Sequence, residues 1–263
     1  MKSKLRTTLL LALALSALLL SGCAEIYADS IKDTREVVRG SGDVVTQDRA
    51  VSDFAPGQGG FDSISLTGFG QVTITQGDEQ ALSIETDDNL MQYIETQVKN
   101  GTLTLGYTDE VRNLNVRPSD GIKFHLSVRE VAVLEILGAG DIHAPSLEVE
   151  RLEVQLKGAG NISVGVLAAK ELVVRLKGAG DVEMAGQVVE QDVEISGSGA
   201  YRGARLESQM ATVEISGAGN VTVWAADTLD AQIPGIGNVE YYGSPSITQK
   251  ISGLGKLISL GNP

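Results

Sequence analysis

The sequence predicts an all-β chain folded as a β-solenoid, of right-handed parallel β-helix type, with coils of about 20 residues and Gly-x-Gly corners. Three observations predict it. A motif apolar-x-Gly-x-Gly-x-apolar recurs from Ile136 to Leu257, the residues flanking it alternate apolar and polar, and 31 of 263 residues are glycine against six prolines. Alternation with period two marks strands, and glycine well above its usual share of about 7% marks a backbone requirement.

Met1 to Thr8 carries Lys2, Lys4 and Arg6 without an acid, Leu9 to Leu20 is Leu and Ala with one Ser, and Ser21-Gly22-Cys23 follows. A basic flank, an apolar run and small residues make a secretory signal peptide. The run falls short of the roughly 20 residues a spanning helix needs. Leu20-Ser21-Gly22-Cys23 resembles the lipobox of bacterial lipoproteins. That resemblance implies that residues 1–22 are removed as a lipoprotein signal peptide and that Cys23, the chain's one cysteine, becomes the lipidated first residue. The membrane is then a partner through that lipid, each buried methylene contributing about 0.8 kcal/mol. With Ala24-Glu25 rather than Asp after the cysteine, it implies export to the outer membrane in a Gram-negative cell. Residues 23–51 read as a lipid-anchored tether.

Residues 52–261 read as one solenoid domain, with 52–130 its elaborated start and 131–261 its regular coils. Gly40-Ser41-Gly42-Asp43-Val44 and Leu66 to Val72 (LTGFGQV) are earlier glycine pairs. Gln97 to Leu105 reads as a hairpin turning through Asn100-Gly101 in a type I′ turn. Asp87-Asp88-Asn89-Leu90 suits a turn of helix.

The regular corners are Gly138 with Gly140, Gly158 with Gly160, Gly178 with Gly180, Gly197 with Gly199, Gly217 with Gly219, Gly235 with Gly237, and Gly253 with Gly255. Ile136, Leu156, Leu176, Ile195, Ile215, Ile233 and Ile251 stand two residues before the first glycine, all apolar; Glu135, Gln155, Arg175, Glu194, Glu214, Gln232 and Lys250 stand between the apolar columns. Counting by twos puts both glycines on the inward side, where the missing side chain permits a sharp bend or a positive φ. Asp141, Asn161, Asp181, Asn220 and Asn238 beside them suit corners, because Asx side chains bond nearby amides. No single coil buries its own apolar face, but a stack of them does. An antiparallel meander of the same period is the structural alternative. On the last coil Gln249 breaks an apolar column, and Lys250, Lys256 and Pro263 suit an open edge guarded against further pairing.

Composition narrows the chemistry. A net charge of -13 opposes phosphate binding, so no nucleic acid is expected. Two histidines and one cysteine leave no material for a zinc site, and no metal or cofactor is expected. Gly-x-Gly beside Asp invites a nucleotide reading, but the third glycine and following helix, or a Gly-Lys-Ser/Thr loop, are missing. Asp141 and Asp181 share a column two coils apart, about 9.6 Å at 4.8 Å per rung, near the upper limit for an inverting carboxylate pair. Asn161 stands between them, and corner chemistry explains the column as well. Asp87 and Asp88 offer carboxylates for calcium without an EF-hand or nonapeptide calcium pattern. His125 lies on an alternating strand and His143 in a polar outward column. Trp224 and Tyr242 each stand five residues after a second glycine on consecutive coils, facing outward: a two-ring platform for a glycan or surface protein, or a cross-strand aromatic pair covering the sheet.

Phe61-Asp62-Ser63-Ile64-Ser65-Leu66, then Val72-Thr73-Ile74-Thr75-Gln76-Gly77, Ile84-Glu85-Thr86-Asp87-Asp88-Asn89-Leu90, Gly101-Thr102-Leu103 and the serial Gly-x-Gly-Asn/Asp coils, behind a lipobox, resemble the auto-transporter adhesin head GIN domain family. The resemblance covers about residues 52–260. It implies a β-helical surface or periplasmic domain without established catalysis and supplies no site residues. The expectation is a lipid-anchored, non-catalytic adhesin-like binding or structural module of the cell envelope. Its alternatives are a β-helical polysaccharide lyase or hydrolase and a periplasmic sensing or assembly partner.

Overall fold

The computed structural model of the chain describes residues 36–50 and 60–262. The signal peptide, Cys23 and the start of the tether lie outside them. The first strands are β1 (Glu36–Arg39), β2 (Val44–Arg49), β3 (Ser63–Leu66), β4 (Phe69–Gln76), β5 (Ala81–Asp87), β6 (Ile94–Lys99), β7 (Thr102–Tyr107), β8 (Leu114–Arg117) and β9 (Lys123–Val128). The regular coils follow in β10 (Val133–Ile136), β11 (Ala139–Glu148), β12 (Arg151–Leu156), β13 (Ala159–Leu176), β14 (Ala179–Ile195), β15 (Ser198–Ile215), β16 (Ala218–Ile233), β17 (Ile236–Tyr242), β18 (Ser246–Ile251) and β19 (Leu254–Gly261). Two 3-10 turns, Met91–Tyr93 and Asp109–Asn113, interrupt the early strands.

From β10 to β19 the rungs pair in parallel, which decides for the solenoid and against the meander. Leu134 stands beside Val154, Val154 beside Val174, Val174 beside Val193 and Val193 beside Val213. Gly140, Gly160, Gly180, Gly199 and Gly219 form one continuous column, and on the last coils Gly237 stands beside Gly255. Ile136, Leu156, Leu176, Ile195, Ile215 and Ile233 are fully buried. Each such side chain contributes about 1.5–3 kcal/mol relative to exposure, and the alternating polar column keeps the other face in water.

The glycine pair has two distinct physical roles. In a representative corner the Ile136 carbonyl accepts the Lys157 and Gly158 amides at 2.9 Å, and the Gly138 carbonyl accepts the Ala159 amide at 2.9 Å. Coils therefore touch through backbone, and a Cβ on Gly158 would collide with the Gly138 carbonyl oxygen. Gly160 adds a φ of +137°, a conformation side chains resist, and its Cβ would strike the Gly140 carbonyl.

The two roles separate along the stack. Positive φ belongs to the second glycine of a pair, at Gly140, Gly160, Gly180, Gly199 and Gly237, and to none of the first glycines. Gly219 and Gly255 also lack it. Close approach is the demand that every corner shares. A Cβ on Gly237 would strike the Gly219 carbonyl oxygen, one on Gly255 the Gly237 carbonyl oxygen, and one on Gly253 the Gly235 carbonyl oxygen.

The elaborated start belongs to the same stack in a different spatial order. β3 and β4 lie directly beneath β10 and β11, with Gly70 beside Gly140. β7 and β9 lie beneath β3 and β4. The hairpin is present: β6 pairs antiparallel with β7, and Asn100 and Gly101 have φ of 53° and 76°, as a type I′ turn requires. The expected helical turn is a turn at Asp87 to Leu90 running into the first 3-10 segment.

Residues 36–50 correct the tether boundary. β2 pairs antiparallel with β5, which pairs antiparallel with β9, and β1 pairs with β8. Gly40-Ser41-Gly42 is accordingly no stacked corner. Gly40 leaves room for Asp87, whose carboxylate would collide with any Cβ there; the Gly42 amide donates to Asp87 Oδ1 at 2.8 Å, and Ser41 Oγ to Asp88 at 2.6 Å. The partners are more than forty residues away in sequence, so no local pattern announces them.

Candidate functional site

The corner column that suggested paired catalytic carboxylates is a hydrogen-bonded ladder. Asp141 Oδ1 accepts the Asn161 amide at 3.0 Å and Asn161 Nδ2 at 2.8 Å; Asn161 Oδ1 accepts the Asp181 amide at 3.2 Å. Asp181 accepts the Ala200 amide at 2.9 Å and Arg202 Nη1 at 2.7 Å, and Asn220 Oδ1 accepts the Asn238 amide. Each of these Asx side chains closes onto the following coil. His143 Nδ1 sits 2.8 Å from Ser163 Oγ on the next rung, while His125 is exposed on β9. Asp87 is occupied by the Gly42 amide and by the Ser119 amide and hydroxyl, at 2.6–2.8 Å. Among the described residues no cluster of three or more His, Cys, Asp or Glu side chains is placed to hold a metal.

Trp224 and Tyr242 are direct cross-rung neighbours, both half-buried. Their column continues through Glu207 to Gln187 and Ala168, and Gln187 Nε2 reaches Glu207 Oε2 at 3.3 Å. Beside it lies a concavity of about 420 Å³ whose walls include Ala168, Val188, Glu207, Ser208 and Gln209. Two rings and two polar side chains thus form a strip at the rung spacing of about 4.8 Å.

β15 departs from the regular coil here. Arg202 pairs with Thr222 and Glu207 with Trp224, so the residues between them bulge out of register. A buried polar network holds the bulge. The Tyr201 hydroxyl donates to Gln191 Oε1 at 2.9 Å, Gln191 Nε2 donates to Ser208 Oγ at 2.8 Å, and Ser208 Oγ donates to the Trp224 carbonyl at 2.8 Å. Tyr201, Gln191 and Ser208 are each at most 1% exposed, and burial pushes the Tyr201 phenol pKa up, keeping it a donor. Gly203 clears the way, because a Cβ there would meet the Tyr201 ring. Glu207 escaped the sequence reading because the bulge breaks the fixed offset from the glycine pair. Gln191 was legible: it interrupts the apolar column of Leu152, Leu172, Ala211 and Leu229.

A sequence profile of the family described as "Putative auto-transporter adhesin, head GIN domain" matches residues 60–245. The chain belongs to this family. The matched head GIN region contains the bulged coil and the Trp224–Tyr242 pair; β1, β2, β18 and β19 lie outside it. None of the curated proteins with which the chain was compared matches it. Solved structures share the fold. A crystal structure from Bacteroides fragilis described as a putative adhesin has 24% identity and a TM-score of 0.77, covering 85% of this chain and all of its own. One from Parabacteroides distasonis described as a putative lipid binding protein has 22% identity and a TM-score of 0.65, covering 86% of this chain and all of its own. One from Parabacteroides merdae described as a putative adhesin has 19% identity and a TM-score of 0.62, covering 86% of this chain and 99% of its own.

Proposed function

We propose that this head GIN protein is a lipid-anchored, non-catalytic adhesin-like binding module of the bacterial cell envelope, whose outer face around Trp224 and Tyr242 receives a glycan. The register pairing of the two rings beside Glu207 and Gln187 carries the reading. Sugar rings stack on aromatic faces while their hydroxyls seek polar partners, and this strip offers both within successive rungs. The family description and the adhesin descriptions of structural relatives support a binding role at the cell surface. The Leu20-Ser21-Gly22-Cys23 lipobox supports the anchor.

Two experiments test the parts separately. Trp224→Ala is expected to lower affinity for an envelope-glycan array hit by at least about tenfold, as loss of a central aromatic anchor does, with the thermal midpoint little changed. Array binding that survives Trp224→Ala and Tyr242→Ala overturns the glycan platform. Metabolic labelling with radioactive palmitate is expected to mark the wild-type chain and not Cys23→Ala; equal labelling of both removes the anchor.

A further inference from the structure

Glu207 is the carboxylate of the strip that also holds Trp224 and Tyr242. Leu206 and Ser208 on either side of it are buried, as are Val223 and Ala225 on either side of Trp224, so Glu207 and Trp224 both turn outward on adjacent rungs. Gln187 Nε2 donates to Glu207 Oε2 at 3.3 Å, and Oε1 has no hydrogen bond among the described residues.

No cation answers this carboxylate among the described residues. Several acids elsewhere on the coils meet one: Glu135 pairs with Lys157 and Asp181 with Arg202, each at 2.7 Å. Arg205, two residues before Glu207, is turned to Glu183 on the preceding coil, with Nη2 2.6 Å from Oε1. In the adjoining concavity of about 420 Å³, Glu207 is the one charged wall among the described residues, and Val188, Val189, Ala169 and Ala226 give it apolar surface.

We infer that the ligand of this strip carries an ammonium group, and that the glycan is an amino sugar whose amine is free. The inference rests on the glycan reading and adds its chemical class. Any ligand that covers Trp224 takes water from Glu207, one rung away at about 4.8 Å. A neutral sugar then leaves a carboxylate desolvated without a counter-charge, which is unfavourable unless hydrogen bonds offset it. An ammonium removes that penalty by pairing with Oε1 of Glu207. The same ammonium is attracted by the face of an indole or phenol ring within about 6 Å of the ring centre. The apolar wall of the concavity suits the C–H face of the sugar ring.

Charge opposes the other sugar classes. A uronic acid or a phosphorylated sugar sets a second negative charge against Glu207, in a chain of net charge -13. Acylation of the amine removes the positive charge and leaves Glu207 with a neutral amide donor. The field of the whole chain draws cations to every acidic part of its surface; the carboxylate beside Trp224 holds one at a defined place.

The test titrates the full chain by calorimetry with an oligomer of glucosamine and with the same oligomer N-acetylated, at low ionic strength. Wild type is expected to bind the free-amine oligomer at least about tenfold more tightly, as a hydrogen bond between charged groups gives. That advantage is expected to shrink as added salt screens it. Glu207→Gln is expected to bring the two affinities within about twofold of each other, with the thermal midpoint little changed, while Trp224→Ala weakens both. Glu214→Gln, at an exposed acid outside the strip, is expected to keep the wild-type advantage. Equal or tighter binding of the acetylated oligomer overturns the inference and leaves the glycan platform. An advantage that Glu207→Gln and Glu214→Gln lower alike is attraction by bulk charge and overturns it too. An array hit without an amine, bound while neither oligomer binds, overturns the amino sugar alone; no glycan bound at all overturns the platform and the amino sugar together.

Discussion

Ser65 donates a 2.8 Å hydrogen bond to Glu135, 70 residues further along the chain. The two stand side by side in adjacent rungs, and Lys157 of the next coil reaches the other oxygen of the same carboxylate at 2.7 Å. The long interval between the Gly68 and Gly138 corners is therefore a detour of the chain and not a gap in the stack. β5 to β9 leave the first rung, lay a further rung beneath it and return.

Because coils touch backbone to backbone at the corners, Gly160→Ala forces both a strained φ and a collision with Gly140. It is expected to destabilise the fold by about 2–4 kcal/mol, read as a lower urea midpoint with an unchanged slope. Lys170→Ala, on the exposed face, serves as control and is expected to stay within about 0.5 kcal/mol.

Asp87 links the N-terminal strands to pH. Burial alone would raise its pKa, but hydrogen bonds from the Ser119 hydroxyl and amide and from the Gly42 amide outweigh that and hold it below the ordinary value. A group depressed in the folded state stabilises above its unfolded pKa, about 3.9 for aspartate, and that stability fades as pH falls through the lower folded value. Asp87→Asn is expected to cost about 2–4 kcal/mol at pH 7. The difference from wild type is expected to shrink in strong acid, and hydrogen exchange at β2 amides is expected to rise first in the variant.

The buried Tyr201–Gln191–Ser208 network gives a sharper expectation. Tyr201→Phe leaves Gln191 Oε1 without its donor and is expected to cost about 1–3 kcal/mol. Adding Gln191→Leu removes the orphaned acceptor and is expected to recover part of the loss. A strictly additive double mutant in chemical denaturation contradicts the network.

The Asx ladder predicts a structural effect only. Asp181→Ala removes the acceptor of the Ala200 amide and of Arg202, both at the solvent boundary. It is expected to cost about 0.5–1.5 kcal/mol and to leave glycan-array binding unchanged. Release of reducing ends from a polysaccharide panel, lost on Asp181→Asn, contradicts the non-catalytic reading.

By itself the sequence determined the all-β repeat, its length of about 20 residues and the seven glycine pairs, because every repeat makes the same local demands: an apolar residue inward, a polar one outward, no Cβ where backbones meet. It also placed Trp224 and Tyr242 on consecutive coils, since no irregularity separates them. Only the tertiary structure decided what depends on contacts distant in the chain: that rungs run parallel, that β7 and β9 lie beneath β3 and β4, that residues 36–50 are strands held by Asp87, and that a bulge in β15 sets Glu207 beside Trp224. It also decided which corner glycines need a positive φ, as Gly237 does, and which need only the missing Cβ, as Gly255 does. Periodicity records which face a residue presents. It carries no record of which rung lies next to which, because any apolar column can stack on any other; hydrogen bonds between distant segments choose among those arrangements.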